Sequence, residues 1–205
     1  MSRLLTKEFF FKCRILLSIK ESVKNHAIIH IFKNTEYRVS KTAHMKVREK
    51  LGIGRNIGYT GKLKTTFILE ENATLQVEGK FYVYTGSKIV VHPHAILCIG
   101  NGSFINVDSK IYCKKHIEIG ENVFIGEEVI IRDTDEHTLC KKENTKPIKI
   151  GNHVWIGMRS VILKGVHIGN NVVIGAGSIV TKNVPDNCVA VGNPAKIIEK
   201  DITWC

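Results

Sequence analysis

At 205 residues the chain is long enough for one domain of ordinary size with a real core. Its formal charge of +11 lies entirely in the first third: residues 1–64 hold 15 Lys/Arg against 4 Glu, while residues 65–205 hold 15 basic against 15 acidic side chains. Six cysteines, at 13, 98, 113, 140, 188 and 205, show neither CxxC nor other ligand-like spacing and suggest no small disulfide framework, which points to a reducing compartment.

Residues 1–64 read as a basic, partly helical N-terminal segment. Phe9, Cys13, Leu16, Val23 and Ala27 recur at near-helical spacing with lysines between them. Lys12 and Arg14 interrupt the apolar residues, so no signal-peptide core forms. The longest run without Asp, Glu, Lys or Arg, Ile89 to Val107, contains Pro93, two histidines and several Gly and Asn, and is unsuited to a bilayer. The expectation is a soluble cytoplasmic protein. The segment reads either as a cap or oligomer contact that covers exposed strand edges, or as a contact with the inner face of the cytoplasmic membrane or an anionic glycan. It carries no nucleic-acid reading motif, so no nucleic-acid partner is expected. His26 and His30, at i and i+4, are two potential ligands without a third.

From residue 119 onward one position in six is aliphatic: Ile119, Ile125, Ile131, then Ile150, Ile156, Ile162, Ile168, Ile174 and Val180. Gly follows at 120, 126, 151, 157, 169 and 175, and triplets such as "GNH" and "GNN" tolerate positive φ. A helix wants apolar spacings of three and four, and a strand alternates throughout, so the chain turns every six residues. Short strands joined by regular corners cannot bury a face alone, but stacked coils can, which predicts a β-solenoid with a coil of about 18 residues. A weaker beat through Leu69, Leu75, Phe81, Ser87, Pro93, Ile99, Ile105, Ile111 and Ile117 extends the predicted solenoid over 65–192, about seven coils, with 193–205 as a tail. An antiparallel sandwich would need hairpins at spacings of roughly eight to twelve residues.

The segment "IGNHVWIGMRSVILKGVHIGNNVVIGAGSIVTKNVPDNCVAVGNPAKII" resembles the C-terminal half of the hexapeptide-repeat acyltransferases, and the resemblance covers about residues 65 to 200. It implies an all-β fold, a left-handed parallel β-helix, assembled as a homotrimer with intersubunit active sites that use acetyl-CoA.

The beat stops at "IRDTDEHTL". From Ile131 to Ile150 is 19 residues, one more than a coil, so 132–149 reads as a loop replacing about one turn. His137 is its chemical candidate: an imidazole with an ordinary pKa of about 6.5 can take a proton from an attacking hydroxyl and return it. It fits the loop histidine that is the general base of the family's O-acetyltransferases. Asp133 and Asp135 are neighbours either of which could hold its tautomer.

Trp155 precedes the inward Ile156 and should point outward. "HVWIG" matches the family's cleft tryptophan. Asn106 in "GSFIN" should also face outward and matches an acceptor-contacting asparagine; with the loop counted as a coil, the two fall on different faces of one chain. The backbone N–H of Met158, where the relatives often have Ser, is the candidate oxyanion donor. After Asn106's strand this chain reads "IYCKKH", with Cys113 and Lys114 where the galactoside and maltose enzymes have acidic residues, which argues for a different acceptor. Cys113 and Cys140 are formal nucleophile candidates, but direct transfer needs neither.

"IGAGSIVTK" resembles the family's coenzyme A segment. The resemblance implies that Gly175, Ala176 and Gly177 leave room for the pantetheine arm, that Thr181 and, from "HVWIG", Gly157 also contact the coenzyme, and that Lys182 and Lys196 meet its phosphates. No metal is expected: the zinc-binding solenoids converge three histidines, whereas His92, His94 and His116 do not repeat at coil spacing. "IRDTDEHTL", "IGNHVWIG" and "GNPAKIIEKDITW" most resemble the branch that modifies capsular and other exported polysaccharides, including sialic acid polymers. The expected activity is transfer of acetyl from acetyl-CoA to a glycan hydroxyl. The alternatives are N-acetylation of an amino sugar nucleotide and a non-catalytic trimeric scaffold.

Overall fold

The computed structural model describes residues 13–56, 58, 63–137 and 143–205. One helix, α1 (Ile15–Asn25), is followed by strands wound as a three-sided coil. The first four coils are β1 (Ile28–Ile31), β2 (Thr35–Val39) and β3 (His44–Val47); β4 (Lys50–Arg55), β5 (Thr65–Leu69) and β6 (Thr74–Val77); β7 (Lys80–Tyr84), β8 (Lys88–Val91) and β9 (Ile96–Ile99); β10 (Ser103–Ile105), β11 (Lys110–Cys113) and β12 (His116–Ile119). The next are β13 (Phe124–Ile125), β14 (Ile130–Arg132) and β15 (Ile148–Ile150), then β16 (Trp155–Ile156), β17 (Val161–Ile162) and β18 (His167–Ile168). Coil seven comprises β19 (Val173–Ile174), β20 (Ile179–Val180) and a lone Ile168–Val184 bridge, and β21 (Cys188–Gly192) with β22 (Ala195–Lys200) closes the stack.

Each strand pairs in parallel with its counterpart one coil away, giving three sheets: sheet 1 from β1 through β4, β7, β10, β13, β16 and β19 to the β21–β22 hairpin, sheet 2 from β2 to β20, and sheet 3 from β3 to β18. Alternation sends one residue in two inward, so Leu75, Phe81, Ile105, Ile131, Ile156, Ile174 and their neighbours form one continuous core. The corner between sheets 3 and 1 explains the Gly-Asn triplets. The side-chain oxygens of Asn101, Asn152, Asn170 and Asp186 each accept the backbone N–H of Lys80, Glu121, Asn152 and Asn170 respectively, one coil to the next.

Three sequence expectations are corrected. The stack begins at Ile28 and not near residue 65, because β1–β3 pair in register with β4–β6. That start is hidden by residues 56–63, which lie between β4 and β5, so that Thr35 pairs with Thr65. The early beat is also not six: Ser103 pairs with Phe81 and Phe104 with Phe124, steps of 22 and 20 residues, and the step becomes 18 only from Lys149, which pairs with His167, onward through Trp155 and Val173. Pro93 accordingly sits on an exposed corner. Finally, 132–149 replaces no coil. β14 and β15 are adjacent sides of coil five, so the loop is an insertion at the corner between sheets 2 and 3.

The helix also differs from expectation. Phe9 lies outside the described residues, Cys13 and Ala27 flank the helix, and Leu16 and Val23 point outward. Its inward side is polar because it meets the open edge of β1. The Ser18 hydroxyl accepts the Ile31 N–H (2.9 Å), the Ser22 hydroxyl accepts the Ile29 N–H (2.8 Å), and the Arg14 N–H donates to the Ile31 carbonyl (2.7 Å). At the other end, β22 runs antiparallel to β21, so residues 195–200 of the expected tail are strand. No helix among the described residues is long and apolar enough to cross a membrane.

Candidate active site

The inserted loop leaves the corner after β14 at Asp133, which is fully buried. One carboxylate oxygen accepts the Lys114 N–H (2.7 Å) and the other accepts the N–H groups of Lys115 (2.7 Å) and His116 (2.8 Å). Three charge-assisted bonds occupy this carboxylate, and they tie the loop's root to the turn between β11 and β12. Asp133 is therefore a structural anchor and not the partner of His137, a correction to its expected role. The thiol of Cys113 lies 3.9 Å from the same carboxylate, and burial first, then that negative charge, pushes its pKa far up. It stays a thiol, unsuited to nucleophilic attack. Cys140 lies outside the described residues.

Above the anchor the two arms of the loop are stitched together. Thr134 bridges Thr145, the Asp135 N–H donates to the Asn144 carbonyl (2.8 Å), and the Lys146 N–H donates to the Asp133 carbonyl (3.0 Å). Lys164, from the corner beneath, pairs with Asp135 (2.6 Å) and donates to the Glu143 carbonyl (2.7 Å). Glu136 pairs with Lys114 and Arg132, and Lys115 pairs with Glu143. The Lys114 ammonium holds the Glu136 carboxyl below its usual range. His137 follows this braced arm and is exposed. Among the described residues its ring meets no carboxylate, and Asp135, the second expected partner, is engaged by Lys164.

Asn106, Gly157, Met158, Gly175, Ala176 and Gly177 gather on the corner between sheets 1 and 2, with Trp155 beside them on sheet 1. The N–H groups of Asn106, Gly126, Gly157 and Gly175 donate to the carbonyls of Ile125, Ile156, Ile174 and Ala190, so the four stack in one column. Asn106 thus stands on the corner that ends Trp155's sheet, two residues on from the Phe104–Phe124–Trp155 register, against the expectation of different faces. That error came from counting the loop as a coil. Asn106 is half-buried, and its side-chain oxygen accepts the Val107 N–H (2.9 Å). Trp155 points outward as its alternation requires and is 50% exposed.

The column glycines permit coil stacking. A Cβ on Gly157 would lie 2.6 Å from the Ala176 nitrogen, and one on Gly175 the same distance from a Val191 methyl. Gly177 differs: its φ is +69° and no atom lies within 4 Å of where its Cβ would be. With Ala176 it forms the open, exposed part of the corner. Beside it, the Met158 carbonyl accepts the Gly177 N–H (2.8 Å), while the Met158 N–H has no acceptor among the described residues. Thr181 and Lys182 are exposed but stand elsewhere. In the β14–β17–β20 register, Asp133, Lys164 and Lys182 share the loop's corner. Lys196 is exposed on β22.

Sequence reasoning missed an aromatic cluster. Tyr84, Phe104 and Phe124 follow one another on the outer side of sheet 1, and Trp204 stacks on His153 (4.0 Å between ring centres) with Phe124 at 5.9 Å and Trp155 at 6.2 Å. The signal was available, because Phe104, Phe124 and Trp155 each precede an inward Ile. Among the described residues no three His, Cys, Asp or Glu side chains are grouped to hold a metal.

Residues 147–182 match the family model described as bacterial transferase hexapeptide (six repeats). The chain is 35% identical over 159 residues to the polysialic acid O-acetyltransferase of Neisseria meningitidis, covering 74% of this chain and 70% of that one. Among solved structures it is similar to the polySia-specific acetyltransferase NeuO, with a TM-score of 0.56 and 29% identity over 83% of this chain and 86% of that one. It is also similar to a galactoside acetyltransferase in complex with coenzyme A, with a TM-score of 0.55 and 34% identity over 62% of this chain and 64% of that one. The chain spans about half the length of the first curated relatives it matches, 42% of one and 53% of another.

Proposed function

We propose, from the premise that this chain belongs to the hexapeptide-repeat acyltransferases and has their left-handed parallel β-helix, that it transfers acetyl from acetyl-CoA to a hydroxyl of a bacterial capsular or other surface glycan. The observation that carries the reading is His137, an exposed imidazole on an arm fixed at its root by Asp133 and braced by Lys164. A rigid scaffold that holds a proton acceptor out toward solvent suits a bulky acceptor. The relatives named as polysialic acid O-acetyltransferases favour an anionic polymer, and the absence of an acidic residue at Cys113 and Lys114 agrees with that.

In this reading one nitrogen of His137 takes the proton of the acceptor hydroxyl as its oxygen attacks the thioester carbon. The Met158 N–H donates to the resulting oxyanion. Collapse expels the thiolate of coenzyme A, which takes the proton back from the imidazolium, leaving ester and free thiol. Ala176 and Gly177 border the pantetheine arm, with Lys196 for the phosphates, and Lys182, on the loop's corner, reaches them from the neighbouring chain that supplies the loop. In a single chain His137 is rooted on one corner of sheet 2, whereas Asn106 and Met158 lie on its other corner and Trp155 beside them on sheet 1. A homotrimer that sets one chain's loop against its neighbour's opposite corner completes the site. The same proposal places the protein in the cytoplasm, where glycan precursors are accessible.

Thiol release from acetyl-CoA is the test, with sialic acid polymers, neutral capsular glycans and amino sugar nucleotides as acceptors. Polymer-stimulated release that falls by about 10²–10⁴-fold in His137→Ala is the expected result. Alkali-stable product from an amino sugar nucleotide would replace O- with N-acetylation. No release with any acceptor and no coenzyme binding would leave a scaffold.

A further inference from the structure

α1 has its amphipathic faces reversed relative to an ordinary packed helix. Ser18 and Glu21 are its buried residues, because the hydroxyls of Ser18 and Ser22 serve the free edge of β1. Leu16, Ile19 and Val23 are 86%, 56% and 69% exposed. At about 100° per residue these three form one outward stripe, and Lys20 and Lys24 run along its side. Both lysines are exposed, and the helix's sole acidic residue, Glu21, is turned inward. The charge balance of the chain agrees: the whole excess of +11 falls within residues 1–64.

We propose that the outer face of α1 docks on an anionic lipid surface. The chemistry suits a helix lying in the plane of the interface: three aliphatic side chains enter the boundary between headgroups and acyl chains while the lysines beside them meet lipid phosphates. Charge complementarity selects this occupant. Each exposed cation on this face would face an anion on the bilayer, whereas a second copy of α1 would bring Lys20 and Lys24 against the same lysines. The helix covers the first coil, so the contact lies at the N-terminal end of the stack, several coils from Trp155 and the loop. In the proposed trimer three such helices sit at one end, and multivalency strengthens a weak single contact. This inference needs no step of acetyl transfer.

The full chain is to be sedimented with vesicles of phosphatidylcholine alone and with vesicles in which roughly a third of the lipid is phosphatidylglycerol. About tenfold or greater preference for the anionic vesicles is expected, lost near about 0.5 M salt. Lys20→Glu with Lys24→Glu, and separately Leu16→Ser with Val23→Ser, should each reduce binding about tenfold or more. All four positions are exposed, so circular dichroism and acetyl transfer to a soluble acceptor should be unchanged. Binding that ignores lipid charge, or no binding to either vesicle, overturns the proposal. So does a smaller particle by light scattering for the Leu16→Ser, Val23→Ser variant, because the face would then be a contact between subunits.

Discussion

The two corners that border sheet 2 are built from the same repeat and do opposite things. The corner between sheets 1 and 2 is kept tight by Gly126, Gly157 and Gly175, whose backbones approach the next coil too closely for a side chain. The corner between sheets 2 and 3 admits a whole inserted loop in coil five and holds it with one buried carboxylate. The difference teaches that a β-helix tolerates an excursion wherever the corner's backbone N–H groups find a substitute acceptor, and forbids it where coils touch backbone to backbone.

The comparison breaks most decisively at Asp133. Asp133→Ala leaves three backbone N–H groups without their acceptor, and a loss of about 3 kcal/mol or more is expected in denaturant unfolding, with acetyl transfer falling in parallel. Gly157→Ala attacks the tight corner: its Cβ would lie 2.6 Å from the Ala176 nitrogen, and a cost of about 1–3 kcal/mol is expected by the same measurement. Gly177→Ala sharpens the contrast within that corner. It meets no neighbour within 4 Å but must hold a positive φ, so about 1–2 kcal/mol is expected, of purely backbone origin.

The smallest expected effect concerns pH. Glu136 has its pKa lowered from 4.5, chiefly by Lys114, so its contribution to stability is complete above 4.5 and is lost as pH falls through the lowered value. Its side chain is 40% exposed, and solvent screening keeps the contribution below about 1 kcal/mol. Unfolding of wild type and Glu136→Gln should converge below the lowered pKa.

How much of this was legible in the sequence depended on the coil. From Lys149 to Val180 the step is a clean 18 residues and the inward Ile positions can be read directly. In the first third, coil steps of 22 and 30 residues, the longer ones spanning the stretch 56–63, put the inward positions out of phase, so β1 to β4 passed unseen. Trp155 was placed outward correctly because alternation is local. Asp133 was misread because one-dimensional proximity to His137 says nothing about which carboxylate the corner swallows. The same limit hid Trp204, whose partner His153 is brought near only by the returning β22.

The central claim is that the catalytic arm and the acceptor corner belong to different faces of one chain and meet between chains. The measurement is complementation: His137→Ala and Trp155→Ala chains, each inactive alone, are co-expressed, and acetyl transfer is assayed on the mixed assemblies. The account predicts that activity reappears, because a mixed pair joins an intact loop to an intact corner. Activity that stays at the level of the two parents would contradict it and place the complete site within a single chain.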